Sequence, residues 1–230
     1  MIRPKFYLIP GTMCNEKLWT DLVKELEDTY DLEHLAVPLG ENIDVIVDLL
    51  IGKMVANDIN LLGFSFGGYL ASAIAIKIPS RISSLFIVSN SPCSLGGQEV
   101  QKRKENLALI RKHGYKGLNR RRALALLDST AVNEKALKTI LEMDAELGEA
   151  ALVNQLTIGS ERKDLARDLL DLEMNIMLIY SEGDPLVNNQ WIADFQSKIP
   201  STCVEALSGS GHMLPIEKPL QLASLLRSAL

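Results

Sequence analysis

The stretch Gly63-Phe64-Ser65-Phe66-Gly67 places a serine between two glycines, directly after an apolar run. This G-x-S-x-G pattern is typical of a sharp strand-to-helix turn that presents a serine hydroxyl as a nucleophile. Gly63 and Gly67 suit such a turn because the strand and the helix approach too closely to admit a side chain. An ordinary serine in a turn is the alternative interpretation, and this pattern alone does not separate the two.

A nucleophilic serine needs a base and an acid that orients the base. His212 lies in the Gly/Ser-rich stretch SGSGHMLP, whereas His34 falls in a strand pattern and His113 at a helix end. Asp184 follows the apolar run MNIMLIYS, in an Asp-Pro pair that is also typical of turns. The order serine, aspartate, histidine is the one expected for this strand-turn-helix site. We therefore predict a catalytic triad of Ser65, Asp184 and His212.

The same pattern predicts an oxyanion hole, which is a pair of backbone N–H groups that bind the charge developing on a carbonyl oxygen. Gly11 follows the first apolar run, so the N–H of Thr12 is predicted to be one donor. The N–H of Phe66, next to the serine, is predicted to be the second. A Pro-Gly turn that merely ends a strand is the alternative for the first segment.

Substrate contacts are predicted from the residues around these segments. Met13 and Phe64 favour an apolar acyl pocket, unless they only pack the turn. Cys93 follows a predicted strand and is a candidate lining residue, although buried thiols are usually inert. Residues 99–122 carry nine basic and two acidic side chains, and Arg121 and Arg122 are predicted to attract an anionic or carrier-bound acyl group. A solvated helix surface is the alternative for this basic run.

The elements that must position these residues follow from apolar periodicity. Apolar runs that alternate with helical patterns predict an α/β fold, with a mostly parallel sheet flanked by helices. Residues 92–171 show only helical patterns, so we predict a core of 1–91 and 172–230 with an all-helical cap insertion at 92–171. The predicted strands are 5–10, 31–39, 58–65, 81–91, 174–184 and 202–208, and the predicted core helices are 15–28, 42–57, 66–79, 188–199 and 216–229.

The amino-acid composition limits which binding partners and which cellular location we expect for this chain. The chain has 230 residues and a net charge of −5, which argues against nucleic acid as the main partner. No run of 18 apolar residues or cleavable leader occurs, so we expect no membrane partner. Three widely spaced cysteines indicate reduced thiols and a cytoplasmic location. His and Cys show no metal-ligand spacing, so no metal and no cofactor are expected. A monomer or a homodimer is expected.

The segments PGTMCNEKLW, GFSFGG, EGDPLV and GHMLPIEKP resemble the oxyanion, nucleophile, acid and histidine segments of the alpha/beta-hydrolase family. The resemblance covers nearly the whole chain and implies an eight-stranded sheet with a helical cap. The sequence shows only six strands, so the sheet is expected to be shortened at the N-terminus. The resemblance also implies a serine hydrolase of the carboxylesterase type, which cleaves a carboxylic ester or thioester through an acyl-enzyme. Ser65 at the nucleophile position disfavours a dehalogenase or an epoxide hydrolase.

Two other functions fit the same residues. Some similar proteins are lyases or hydrolases of carbon–carbon bonds, which would use the triad on a small carboxylated metabolite. A ligand-binding protein that keeps the fold without turnover is the third possibility, and an intact triad counts against it.

Overall fold

The computed structural model describes residues 3–130, 133–199 and 202–230. Met1 and Ile2, with which the predicted core begins, lie outside the described residues. The described chain forms one sheet of six parallel strands in the order β2-β1-β3-β4-β5-β6. This arrangement confirms the predicted α/β fold. The strands are β1 (Lys5–Ile9), β2 (Asp31–His34), β3 (Ile59–Phe64), β4 (Ile82–Val88), β5 (Asn175–Ser181) and β6 (Cys203–Leu207).

Helices cover both faces of the sheet because its strands are apolar on both sides. Successive residues of a strand point to opposite faces. Tyr7 and Ile9 therefore belong to one buried cluster with the helices Ile43–Lys53 and Phe66–Lys77. Phe6 and Leu8 belong to a second cluster with the helices Thr20–Leu26 and Pro219–Ser228. The helices are α1 (Thr20–Leu26), α2 (Ile43–Lys53), α3 (Phe66–Lys77), α4 (Gly97–His113), α5 (Arg120–Leu124), α6 (Glu134–Gly159), α7 (Ala166–Leu170), α8 (Asn189–Lys198), α9 (Leu214–Glu217) and α10 (Pro219–Ser228).

Several predicted elements are longer than the observed ones, and three of the differences have local reasons. The strand predicted at 31–39 ends at His34, since the stretch after it contains Pro38, which cannot donate to a neighbouring strand. The helix predicted at 216–229 is divided into α9 and α10 at Pro219, which has no N–H to continue α9. The helix predicted at 15–28 begins as a 3₁₀ turn, Glu16–Trp19, before α1.

The segment between β4 and β5 contains α4, α5, α6 and α7, and its described residues include no strand. The longest of these helices, α6, is interrupted at Gly148, which has a φ of 70°. Glycine tolerates this left-handed backbone because it has no Cβ. The division into a core and a cap at 92–171 stays a prediction.

None of the described helices combines the length and the apolar character that a membrane crossing requires.

Candidate active site

Ser65 lies at the turn between β3 and α3, at the carboxyl edge of the sheet. Its backbone has a φ of 51° and a ψ of −121°, which a residue with a side chain rarely adopts. Such strain costs about 1–3 kcal/mol and persists only where the surrounding structure enforces it. Ser65 N–H donates to the Val88 carbonyl of β4 at 2.8 Å, which anchors the turn to the neighbouring strand.

Gly63 and Gly67 are required because backbone atoms occupy the space that a side chain would need. A Cβ on Gly63 would lie 2.2 Å from the Gly67 carbonyl oxygen. A Cβ on Gly67 would lie 2.1 Å from the Ile9 carbonyl oxygen of β1. Both contacts are with backbone atoms, which cannot move aside as a flexible side chain can. The spacing read from the sequence thus corresponds to a physical contact between β1, β3 and α3.

We expect Gly67→Ala to destabilise the protein by about 3 kcal/mol or more, because overpacking against backbone forces the turn apart. At this chain length the melting temperature should fall by roughly 6–12 °C in a thermal scan. Gly52→Ala is the matched control, since a Cβ there meets no atom within 4 Å and Gly52 lies in α2. That control should stabilise by about 0.5–1 kcal/mol. Equal melting temperatures for the two variants would contradict the packing argument.

His212 and Asp184 form a hydrogen-bonded chain with Ser65. The distance from His212 Nε2 to Ser65 Oγ is 2.9 Å, and that from His212 Nδ1 to Asp184 Oδ2 is 2.7 Å. An ionised carboxylate only accepts hydrogen bonds. Nδ1 therefore carries the proton and donates to Asp184, which leaves Nε2 free to accept from the Ser65 hydroxyl. The Asp184 side chain is 0% exposed and that of His212 is 6% exposed, so water competes little for these bonds.

Backbone contacts fix both partners. Asp184 follows β5, and its Oδ1 accepts from the Leu186 N–H at 2.9 Å. His212 follows β6, and its N–H donates to the Leu126 carbonyl of the inserted segment at 2.9 Å. The structure therefore brings together the three residues that the sequence places 119 and 28 positions apart.

The loop after β1 lies directly against the nucleophile. A Cβ on Gly11 would be 3.0 Å from the Cβ of Ser65. The Met13 N–H donates to Gln155 Oε1 of α6 at 2.9 Å, which leaves Thr12 as the candidate donor of this loop. Phe66 is the first residue of α3, where a backbone N–H has no partner within the helix. These positions agree with the predicted use of Thr12 and Phe66, whose role stays a prediction.

A larger cavity of about 540 Å³ opens from Ser65 and His212 toward the inserted helices, and we call it the apolar cavity. Met13 and Phe64 line it, as does Arg122 at its polar side. Tyr115 and the buried Asp144 also line it, and the Tyr115 hydroxyl donates to Asp144 Oδ1. The remaining apolar lining comes mainly from Leu118, Leu126, Ile140, Leu152, Leu156, Leu186 and Met213.

A smaller cavity of about 240 Å³ meets the same two residues from the side of β4 and β5, and we call it the polar cavity. Cys93 lines it, and burial raises the pKa of the Cys93 thiol. A protonated thiol is a poor nucleophile, so Cys93 contributes shape and not reactivity. Two guanidinium groups, of Arg103 and Arg162, also line the polar cavity.

The two arginines predicted to contact substrate lie in different places. Both are exposed, but Arg122 lines the apolar cavity, whereas Arg121 is outside the lining of both cavities. Their neighbour Arg120 pairs with Glu134, at 2.6 Å between Nη2 and Oε1. Successive residues of α5 point in directions about 100° apart, so only one of the three faces the cavity.

The loop that carries His212 is tied to the inserted segment by two carboxylates. Glu217 Oε1 accepts from the Asp128 N–H at 2.7 Å, and Asp128 Oδ2 accepts from the Ser210 N–H at 3.1 Å. Burial raises the pKa of Glu217, whereas hydrogen bonds from Thr130 lower the pKa of Asp128. The position of His212 therefore depends on contacts with this segment.

Sequence reasoning missed three groups in the site. Gln155, Asp144 and Arg162 belong to the inserted segment and show no motif or spacing that marks them. A polar residue on an otherwise apolar helix face was the available signal for Gln155 and Asp144, which are both buried in α6. For metals, the described residues contain no group of three or more potential ligands.

Comparisons with known proteins agree with this geometry. A model of the alpha/beta hydrolase family matches residues 19–225. A pimeloyl-[acyl-carrier protein] methyl ester esterase of Aeromonas salmonicida is 26% identical, over 97% of this chain and 94% of its own. One of Yersinia enterocolitica is 30% identical over 71% of this chain and 66% of its own. These relatives support the carboxylesterase-type hydrolase that the sequence predicts.

Two solved structures share the fold. The enol-lactonase of Burkholderia xenovorans LB400 superposes with a TM-score of 0.86 at 16% identity, over 100% of this chain and 92% of its own. A thermophilic esterase of Thermogutta terrifontis gives a TM-score of 0.85 at 18% identity, over 99% and 89%. The family model covers most of the 230 residues. The chain belongs to the alpha/beta hydrolase family.

Proposed function

We propose that this chain hydrolyses carboxylic esters through an acyl-enzyme on Ser65. The observation that carries the proposal is the hydrogen-bonded chain from Ser65 through His212 to Asp184, with the serine in a strained turn beside two cavities. A serine hydroxyl is a weak nucleophile unless a base accepts its proton. In this arrangement His212 Nε2 is already hydrogen-bonded to it.

Acylation begins when Ser65 Oγ attacks the ester carbonyl carbon and its proton passes to His212 Nε2. The imidazolium that forms is stabilised by the Asp184 carboxylate across 2.7 Å. The N–H groups of Thr12 and Phe66 hold the negative charge on the carbonyl oxygen. One such donor typically contributes about 10²–10³-fold to the rate. The protonated His212 then donates its proton to the leaving alcohol.

Deacylation repeats these steps with water as the nucleophile. His212 accepts a proton from water, and the resulting hydroxide attacks the acyl carbon bound to Ser65 Oγ. Collapse of the second tetrahedral intermediate returns the proton to Ser65 and releases the carboxylic acid. The same residues therefore serve both halves of the reaction, and no cofactor takes part.

The apolar cavity is the proposed acyl site. Its volume of about 540 Å³ and its leucine-rich lining suit an apolar chain of small to medium length. The relatives named above act on the methyl ester of a pimeloyl group on acyl carrier protein. Their names support a finer proposal, that the acyl group reaches this chain on an anionic carrier and passes Arg122 on its way to Ser65.

Activity against p-nitrophenyl esters of increasing chain length tests the proposal, together with labelling by a fluorophosphonate probe. We expect labelling at Ser65 and a maximum of kcat/KM at a chain length that fills the apolar cavity. A lyase or a carbon–carbon bond hydrolase would label but turn over these esters poorly. A ligand-binding protein without turnover would neither label nor hydrolyse, and that result would refute the proposal.

The basic run at residues 99–122 leads to a prediction about how ester hydrolysis depends on salt concentration. Attraction of an anionic ester weakens with salt, because the Debye length falls from about 10 Å at 0.1 M to about 3 Å at 1 M. We therefore expect kcat/KM for an anionic ester to fall as salt rises, while that for a neutral ester of equal length changes little. Arg122→Glu should reduce this difference more than Arg121→Glu, because only Arg122 lines the cavity. If kcat/KM of the parent depended on salt in the same way for both esters, the basic run would be a solvated surface without a role in substrate attraction.

A further inference from the structure

Several residues that line the polar cavity have a buried polar atom without a hydrogen-bond partner in the described chain. Arg162 Nε, Ser89 Oγ and Asn90 Oδ1 are buried and have no hydrogen-bond partner among the described residues, and all three residues line this cavity. Buried polar groups are usually paired, so each exception calls for an explanation. Two of these groups, Arg162 Nε and the Ser89 hydroxyl, are potential donors to a ligand in a cavity beside Ser65 and His212, whereas Asn90 Oδ1 only accepts.

The charges around the cavity do not balance. Arg103 Nε pairs with Glu99 Oε1 at 2.9 Å, and both residues line the cavity. Arg162 pairs with no carboxylate in the described part of the chain, and its Cζ lies 5.6 Å from the ring centroid of Tyr69. Burial and the nearby Arg103 lower the pKa of Arg162. Arginine nevertheless stays charged at neutral pH, which leaves one uncompensated positive charge.

Ser89 adds an observation that does not depend on charge. It follows β4, next to β3, and has a φ of 51°, the same positive φ as Ser65. Its N–H donates to the Ile179 carbonyl of β5 at 2.8 Å, so two strands hold the strained turn. Residues other than glycine that have a strained backbone are concentrated at functional sites. The side chains of Ser89 and Asn90 thus reach the carboxyl edge of the sheet, where α/β folds bind ligands.

From these observations we propose that the polar cavity binds a carboxylate carried by the substrate, with Arg162 as its principal partner. The enzyme then prefers an ester that bears a free carboxylate over a neutral ester of the same length. The proposal rests on the ester hydrolysis proposed above and specifies its substrate class. A guanidinium donates two parallel hydrogen bonds to a carboxylate, and the Ser89 hydroxyl can donate a further one. The cavity of about 240 Å³ is large enough for a short chain that ends in one carboxylate.

Two pairs of esters test the proposal and identify the side that carries the carboxylate. Mono-p-nitrophenyl adipate is compared with p-nitrophenyl hexanoate for a carboxylate on the acyl side. Butyryl glycolate is compared with propyl butyrate for one on the alcohol side. In one of the pairs we expect kcat/KM to be about 10- to 100-fold higher for the carboxylate, mainly through KM, as for other hydrogen bonds to charged groups.

Arg162→Gln should abolish this preference, because it should lower kcat/KM for the carboxylate ester about 10- to 100-fold more than kcat/KM for the neutral ester. Arg162→Lys, which keeps the charge but loses the planar fork, should retain part of the preference. Arg167→Gln is the matched control, since Arg167 is exposed on α7 and lies outside the lining of both cavities. The neutral-ester rate and a thermal scan report whether each variant is folded.

Several outcomes would overturn the proposal. The parent could show no carboxylate preference in either pair, or Arg162→Gln could lower the rates of the charged and neutral esters equally. If the neutral esters are hydrolysed and Ser65 is labelled while no preference exists, only the present proposal fails. If no ester is hydrolysed, calorimetric titration with adipate and hexanoate decides. Adipate that binds the parent no more tightly than it binds Arg162→Gln refutes the carboxylate site.

Discussion

Ser65→Ala is expected to lower kcat for p-nitrophenyl butyrate by about 10⁴–10⁶-fold, the range seen when the serine of a triad is removed. The physical reason is that Ser65 Oγ is the nucleophile that attacks the carbonyl carbon in the proposed mechanism. Ser65 lines both cavities, and its hydroxyl oxygen lies 2.9 Å from His212 Nε2, the base that accepts its proton. The rate that remains would come from binding and from the oxyanion donors. Steady-state kinetics and the loss of fluorophosphonate labelling measure the effect.

The same substitution should leave the fold intact. It removes one hydroxyl and one hydrogen bond, for a change in the free energy of unfolding of at most about 1.5 kcal/mol. Ser83→Ala, at an exposed position of β4, is the control and should keep full activity and labelling. If Ser65→Ala retained activity within tenfold of the parent, Ser65 would not be the nucleophile and the proposed mechanism would be wrong.

The site residues that directly follow the strands of the core could be predicted from the sequence. β3 is buried along its whole length, and Gly63 and Gly67 mark the turn after it because only glycine fits there. Asp184 and His212 each follow a strand end at the same edge of a parallel sheet, so proximity follows once the sheet is recognised. The fold class and the family were confirmed for this reason.

The contribution of the inserted segment could not be predicted in the same way. Helical periodicity shows which face of α6 is buried, but it does not show what that face contacts. Gln155 therefore gave no sign that it holds the Met13 N–H, and Arg162 gave none that it lines a cavity beside Ser65. The basic run illustrates the same difficulty, since Arg121 and Arg122 are adjacent in sequence and only Arg122 lines the apolar cavity. Such contacts depend on how the helices pack over the sheet.

The role of Asp184 is separable from substrate binding, because Asp184 lines neither cavity. We expect Asp184→Asn to lower kcat by about 10²–10⁴-fold with little change in KM. The carboxylate accepts from His212 Nδ1–H at 2.7 Å and from the Leu186 N–H at 2.9 Å. An asparagine amide that keeps its oxygen on Leu186 turns its NH₂ group toward His212. That NH₂ favours the tautomer in which Nδ1 accepts and Nε2 is protonated, and a protonated Nε2 cannot take the proton of Ser65.

Kinetics on one neutral ester, with a thermal scan of each variant, provide the measurement. His212→Ala should cause a similar loss of kcat, since it removes the base itself. Asp194→Asn is the matched control for the chemical change, because Asp194 is exposed on α8 and its carboxylate accepts a surface hydrogen bond from Gln190 Nε2. If Asp184→Asn kept the activity of the parent while another Asp or Glu substitution abolished it, the acid of the site would be that other residue. The hydrogen bond of 2.7 Å would then be a structural contact that holds His212 and has no part in proton transfer.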